Sequence, residues 1–351
     1  MFNIPFCKNT LGEEEKKAIN EVIDSGWVVQ GKRTQEFEQQ FAEYVGAKHC
    51  IFVDSCTSAL DLSVKYLLYK KIWDRKLAVA VPSLTFTSSA EVIVNNKMKP
   101  RFFDVKRDTF CSNSLMLQAI LVHLTGNIAK QLNLDRMIIE DSAHRIERNQ
   151  CKDNPNLVCF SFYATKNMTT IQGGMIATNN EEAAKWLKKA RDHGVSKGTT
   201  ERYKDGAWAY DVEFIGWREK SDDVHATIGI EQLKKLDSMN IERKRIITLY
   251  NEFLGLNRKG LHLYPILVLN RPEFINKLKE AGIQCSVHFL PLHRMTAYKK
   301  YITDENTDLT LSITNWLGDH LVSLPLFPQL TNEEIKYITD KVIETELLIK
   351  E

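Results

Sequence analysis

The amino-acid sequence predicts an α/β protein in which a large domain on a mostly parallel sheet is followed by a smaller C-terminal α+β domain. Three observations carry this. Short apolar, β-branched runs alternate with amphipathic helical segments through the first two-thirds of the chain, the rhythm of β-α-β units. The 351 residues exceed what one hydrophobic core ordinarily serves. Near Asn240 the pattern shifts to mixed helices and strands, which divides the chain into 1–240 and 241–351.

The elements follow in order. Thr10 and Glu13 have the spacing of a capping box, which predicts a helix from about Leu11. Phe37, Phe41 and Val45 recur at helical spacing along Thr34–Tyr44. Buried strands are read at Cys50–Val53, Leu77–Val81, Arg101–Val105, Ile120–His123, Met137–Glu140, Leu157–Phe162 and Gly174–Ala177. Between them, Ser58–Lys70 and Glu181–Asp192 carry apolar residues on one helical face. A further helical pattern covers Ser221–Met239. Thr331 and Glu334 form a second capping box, opening a terminal helix over Thr331–Lys350.

Composition narrows the function. Hydrophobic residues at 43% and charged residues at 26% exclude a disordered or fibrous chain. Lys plus Arg (47) nearly balances Asp plus Glu (45), so nothing suggests a nucleic-acid track or a membrane surface; a compact substrate fits better. The apolar stretch Leu261–Leu269 is broken by His262 and Pro265 and is far shorter than the roughly 18 residues of a membrane span. Seven scattered cysteines without a C-x-x-C pair, behind an N-terminus lacking a secretory pattern, predict a cytoplasmic protein with free thiols. His288 and His293 are separated by a proline and have no Cys or carboxylate companions, so no metal site is expected.

In a parallel sheet, ligands gather beyond the carboxyl ends of the strands. Lys166 stands there, four residues after Phe162 and ahead of a polar loop ending in Gly173 and Gly174. A lysine desolvated at the edge of a core is an amine nucleophile able to form a Schiff base with an aldehyde. Upstream, Met137–His144 ends an apolar run in adjacent carboxylates, Glu140 and Asp141. On a strand these point to opposite faces, so one of them can serve a cofactor's ring nitrogen. Val53–Leu62 is a strand, a turn of small residues and a helix, a junction whose free N–H groups and dipole suit a phosphate.

Together the order S-C-T-S-A-L, P-S-L-T-F, E-D-S-A-H, S-F-Y-A-T-K-N, Q-G-G and P-L-H resembles the pyridoxal-phosphate (PLP)-dependent sugar aminotransferases of the DegT/DnrJ/EryC1/StrS group. The resemblance runs from Ser25 to Ile335 and implies the aspartate-aminotransferase-like architecture known as fold type I. It implies that Lys166 is the Schiff-base lysine and proton shuttle, and that Asp141 meets the ring nitrogen. It further implies that His144, where the family often has glutamine, lies beside the cofactor's phenolic oxygen, that Phe86 stacks on its ring, and that Thr57, Ser58 and Ser161 cradle its phosphate. Cys56 stands where the family usually has glycine, so a left-handed φ there would strain the turn. Arg218 replaces an asparagine that reaches the phosphate from the partner subunit, which implies a homodimer with shared sites.

The implied reaction moves an amino group from glutamate to a nucleotide-linked 4-keto-6-deoxyhexose. The product is a 4-amino-4,6-dideoxy sugar of the UDP-viosamine or GDP-perosamine type, and Trp27, His288 and His293 are candidates on the substrate side. The alternatives are amination at C3 and a non-catalytic regulatory protein on the same fold. Relatives that dehydrate their sugar carry histidine in place of the lysine, and Lys166 argues against that branch.

Overall fold

The computed structural model describes residues 2–112, 116–130, 136–198, 209–302 and 310–350. The chain opens with α1 (Glu13–Asp24) and α2 (Lys32–Val45), then β1 (His49–Val53), α3 (Cys56–Tyr69), β2 (Val79–Pro82), α4 (Ser88–Asn95) and β3 (Pro100–Phe103). β4 (Ile120–Val122), β5 (Ile139–Asp141), β6 (Leu157–Ser161), β7 (Gly174–Thr178) and α5 (Glu181–Ala190) follow. The remainder comprises α6 (Asp223–Leu254), β8 (Tyr264–Leu267), α7 (Arg271–Glu280), α8 (Ser312–His320), β9 (Leu321–Leu324) and α9 (Asn332–Glu344). All seven expected strands of the large part form. None of the helices among the described residues is long and apolar enough to cross a membrane.

The central sheet has the order β1-β7-β6-β5-β4, and a parallel bridge from Ala80 to Ala119 adds the β2–β3 pair beside it. β4, β5 and β6 are parallel, but β7 runs antiparallel to both β1 and β6, so the sheet is mixed. That reversal builds the site. In register, Gly174 at the start of β7 faces Val53 at the end of β1 and Ser161 at the end of β6. The phosphate-type turn, Ser161 and the glycine loop therefore meet along one edge, with Asp141 at the end of the next strand.

Helices cover both faces. On one, α3 and α5 bury Leu60, Leu67, Ala183 and Leu187 against Ile51 and Ile176. On the other, Phe37 and Phe41 of α2 interlock with Phe52, Phe160 and Phe162 at ring separations of 5.0–5.9 Å. Each fully buried ring of this kind contributes about 1.5–3 kcal/mol. α2 begins at Gly31, which has no capping side chain. Asp223 of α6 serves instead, accepting from the N–H groups of Gly31 (2.7 Å) and Thr34 (2.9 Å).

One expectation is corrected at a helix start and two at helix ends. α1 begins at Glu13, not Leu11, and it is Glu15 that reaches back to the Gly12 N–H at 2.7 Å. The Thr10 hydroxyl instead donates to Gln232 at 3.1 Å. The Thr331–Glu334 box does form, at 3.1 and 2.9 Å, although its helix ends at Glu344. α6 continues fifteen residues beyond Met239, to Leu254, so Asn240 lies inside a helix. Its Leu236 and Met239 belong to the core under the sheet, and its Ile246, Ile247 and Tyr250 to the C-terminal core with β8 and β9. Ile4 packs in that second core and bridges Ile283, which joins the N-terminus to the C-terminal part.

Candidate active site

A cavity of about 470 Å³ opens beyond the ends of β1, β5 and β6. Thr57, Phe86, Asp141, His144, Ser161, Lys166 and His288 all line it, which brings together seven of the eleven residues singled out in the sequence.

Its floor is the start of α3. The Ser55 hydroxyl caps the helix by accepting from the Ser58 N–H at 3.1 Å, and the Ser55 carbonyl accepts from Ala59 at 3.0 Å. Cys56 and Thr57, in the first turn, therefore have N–H groups without intrahelical acceptors at the positive end of the helix dipole. The Ser58 hydroxyl lies 3.0 Å from that of Ser55, so it belongs to the cap and does not line the cavity. Cys56 has no left-handed φ; as the first helical residue it causes no strain. Burial, with the Asp141 charge beside it, holds its thiol well above the ordinary range. The turn is fixed from the opposite strand: a Cβ at Gly174 would stand 2.4 Å from the Ser55 carbonyl oxygen.

The two adjacent carboxylates separate as strand geometry requires. Asp141 is buried on the cavity side, where one oxygen accepts from the Ser89 hydroxyl at 2.7 Å and the other from the Ala143 N–H at 3.1 Å. Glu140 turns away. Burial acts to raise its pKa, but His123 at 2.9 Å, Asn156 at 2.8 Å and Asn154 at 3.0 Å outweigh that and bring it down to about 2. Glu140 thus ties β5 to its neighbours and leaves Asp141 for the ligand.

Lys166 sits in the loop after β6, its N–H bound to the Tyr163 carbonyl at 2.9 Å. Burial lowers its pKa to about 8 against the opposing pull of Asp141, so near neutral pH about a tenth of it is free amine, far more than an ordinary lysine offers. Phe86 lines the cavity with 58% of its surface exposed, an open aromatic face among otherwise buried neighbours. His144 is buried and accepts the Thr125 N–H at Nδ1 (3.3 Å), which places its own proton on Nε2. His288 is bound to Ser323 at 3.0 Å, and burial reinforced by Lys166 lowers its pKa to about 4.

Three expected residues lie elsewhere. His293 is buried between Ser83 (2.7 Å at Nδ1) and Asn315 (3.0 Å at Nε2); both nitrogens are engaged in packing, and the ring does not line the cavity. Trp27 donates to the Gln30 carbonyl at 3.4 Å in the loop before α2, outside the cavity. Arg218 is exposed, donates to the Lys220 carbonyl at 3.2 Å and does not reach its own chain's cavity. In return the fold brings in Phe289, Gln172 and His262, none of which was assigned a role from sequence. The signal for His262 was present, as the lone polar residue breaking an apolar run.

Comparison with known proteins places this geometry. Residues 9–343 match the model of the DegT/DnrJ/EryC1/StrS aminotransferase family. An uncharacterized protein of Methanocaldococcus jannaschii, MJ1066, is 34% identical over 97% of this chain and 96% of its own. The spore coat polysaccharide biosynthesis protein SpsC of Bacillus subtilis is 32% identical over 97% of this chain and 95% of its own. Among solved structures, Spr1654 of Streptococcus pneumoniae, described as a sugar aminotransferase, superposes in its PMP form with a TM-score of 0.84 at 25% identity. That match covers 97% of this chain and 98% of the other, and the PLP form gives the same values.

Proposed function

The chain belongs to the DegT/DnrJ/EryC1/StrS aminotransferase family and is a PLP-dependent sugar aminotransferase; on that premise we propose that it transfers the amino group of glutamate to C4 of a nucleotide-linked 4-keto-6-deoxyhexose. The product is a 4-amino-4,6-dideoxy sugar of the UDP-viosamine or GDP-perosamine type. The observation that carries the aminotransferase reading is the buried Lys166 amine, lowered to about 8, in one cavity with Asp141.

When bound, PLP supplies an aldehyde that condenses with amines and an electron-poor ring that stores carbanion charge. The donor set fits it. The open N–H groups of Cys56 and Thr57, with the Thr57 and Ser161 hydroxyls, suit the phosphate. Asp141, oriented by Ser89 and Ala143, would meet the ring nitrogen, and Phe86 offers its free face to the ring. His144, its proton fixed on Nε2, would donate to the phenolic oxygen. Lys166 would move the proton at its Nζ, and holding donor and acceptor in register supplies much of the rate.

The nucleotide-linked 4-keto-6-deoxy sugar comes from the family resemblance, and C4 over C3 is our choice within it; SpsC, a polysaccharide biosynthesis protein, supports a sugar as substrate. The homodimer comes from the family resemblance, in which Arg218, outside its own chain's cavity, serves the site of the other copy. All seven cysteines are free, which suits the cytoplasm.

The test is spectroscopic and then chemical. The PLP-loaded protein should lose its visible band on adding glutamate and regain it on adding a nucleotide-linked 4-keto-6-deoxyhexose, with an amine at C4 of the isolated sugar. An amine at C3 would overturn the assignment of position, and a band indifferent to every amino donor would overturn the transfer reaction.

A further inference from the structure

The roles above leave one part of the cavity unused. His262 is only 8% exposed and lines the cavity, yet neither of its ring nitrogens has a hydrogen-bond partner among the described residues. Its nitrogens are not among the fully sealed polar atoms, so they open onto the cavity and are free to bind what enters it. Its ring centroid lies 4.3 Å from that of His144.

One residue joins the His144 ring to the backbone of His262. Thr125, at a left-handed φ of 62°, donates its N–H to His144 and accepts at its carbonyl from the N–H groups of His262 (3.0 Å) and Leu263 (3.3 Å). A Cβ at Gly260 would stand 2.4 Å from that carbonyl oxygen, so the approach of the two segments requires glycine there. Backbone strain of this kind persists where surrounding contacts over-determine it, commonly at ligand sites. Burial keeps His262 neutral, well below the ordinary imidazole range, and the nearby Lys166, Arg243 and His288 act in the same direction.

Among the described residues lining the cavity, Lys166 is the only cation, and it is committed to the amine chemistry. The α3 N-terminus, with Arg218 of the partner subunit in the proposed homodimer, takes the phosphate, and His144 the phenolic oxygen. An amino-acid donor still brings an α-carboxylate into the cavity, and that group needs N–H donors. It must also leave as part of the keto acid before the sugar enters, which favours a neutral donor over the stronger charge-assisted pairing.

We propose that the His262 imidazole N–H binds the α-carboxylate of the amino donor, an assignment that rests on the reading of glutamate as that donor. The neutral ring is both donor and acceptor, so the same group accommodates sugar hydroxyls in the second half-reaction.

The experiment titrates the PLP-loaded protein with L-glutamate and with its α-amide, following the visible band. Wild type should prefer glutamate. His262→Phe should raise the half-saturating glutamate concentration at least about tenfold and abolish the preference over the α-amide, and His262→Asn, which keeps an N–H, should recover part of both. His262→Leu serves as a second apolar variant should the phenylalanine protein not fold. An apolar variant with the wild-type visible band and melting temperature that kept wild-type half-saturation and preference would overturn the assignment. A wild type that responds to no amino donor would instead overturn the donor reading on which it rests.

Discussion

The two walls of the cavity are built on different principles. On the wall formed by the sheet, most polar groups already have partners: Ser55 caps α3, Asp141 is held by Ser89 and Ala143, and Glu140 is drawn away by His123 and two asparagines. On the opposite wall, the His262 ring stacks near His144 but has no side-chain hydrogen bond among the described residues, and Phe289 and His288 pack against aromatic neighbours. One wall is set before any ligand arrives. On the proposal above, the other is completed by the ligand. A transaminase that keeps one cofactor and exchanges two unlike substrates needs that division, because preorganisation helps where the guest is constant and costs affinity where guests differ.

Breaking the preorganised wall should have the largest effect. Lys166→Ala is expected to reduce turnover by at least the roughly 10²–10⁴-fold associated with positioned proton transfer, measured as 2-oxoglutarate release with PLP in excess; a wild-type rate would refute its role. A gentler probe is pH. Capture of PLP by the apoprotein requires the neutral amine, so its rate should climb with pH to half its maximum near 8, where an ordinary lysine would require about 10.5. A midpoint at the ordinary value would show that burial does not act on Lys166.

The smallest effect on chemistry is expected at His293, which resembles His288 in sequence but lies outside both walls. His293→Leu should lower stability by about 1–3 kcal/mol, through the buried Ser83 hydroxyl that loses its ring partner, while Asn315 keeps its bond from Arg294. Half-saturation by glutamate should not move. A shift in that constant without loss of stability would return His293 to the substrate side.

Much of the sheet wall was legible because its information is local. A strand, a run of small residues and a helix lie within ten residues of one another, and so do Phe162 and Lys166. The strands of the large part were likewise legible from their short apolar runs. Their directions were not: β7 reads as a buried strand whichever way it runs, and its reversal is decided by pairing with β6 just before it and with β1 more than a hundred residues away. The second wall is non-local throughout. His262 meets His144 only because Thr125 accepts from the segment before β8, a contact between residues 137 positions apart (262 − 125 = 137). Likewise His288 and His293 share one motif, and only the position of Ser83 and Asn315 separates a cavity histidine from a packing one. The start of α1 was misread because the actual cap, Gly12, has no side chain to announce it.

The helix α6 carries a consequence for how the molecule comes apart. Its Leu236 and Met239 are fixed in the core beneath the sheet, and its Ile246, Ile247 and Tyr250 in the C-terminal core, along one uninterrupted run of residues. Neither core can melt by itself without stripping apolar cover from a helix the other still needs. The chain is thereby tied into a single cooperative unit, and a partly unfolded species with one half intact is disfavoured.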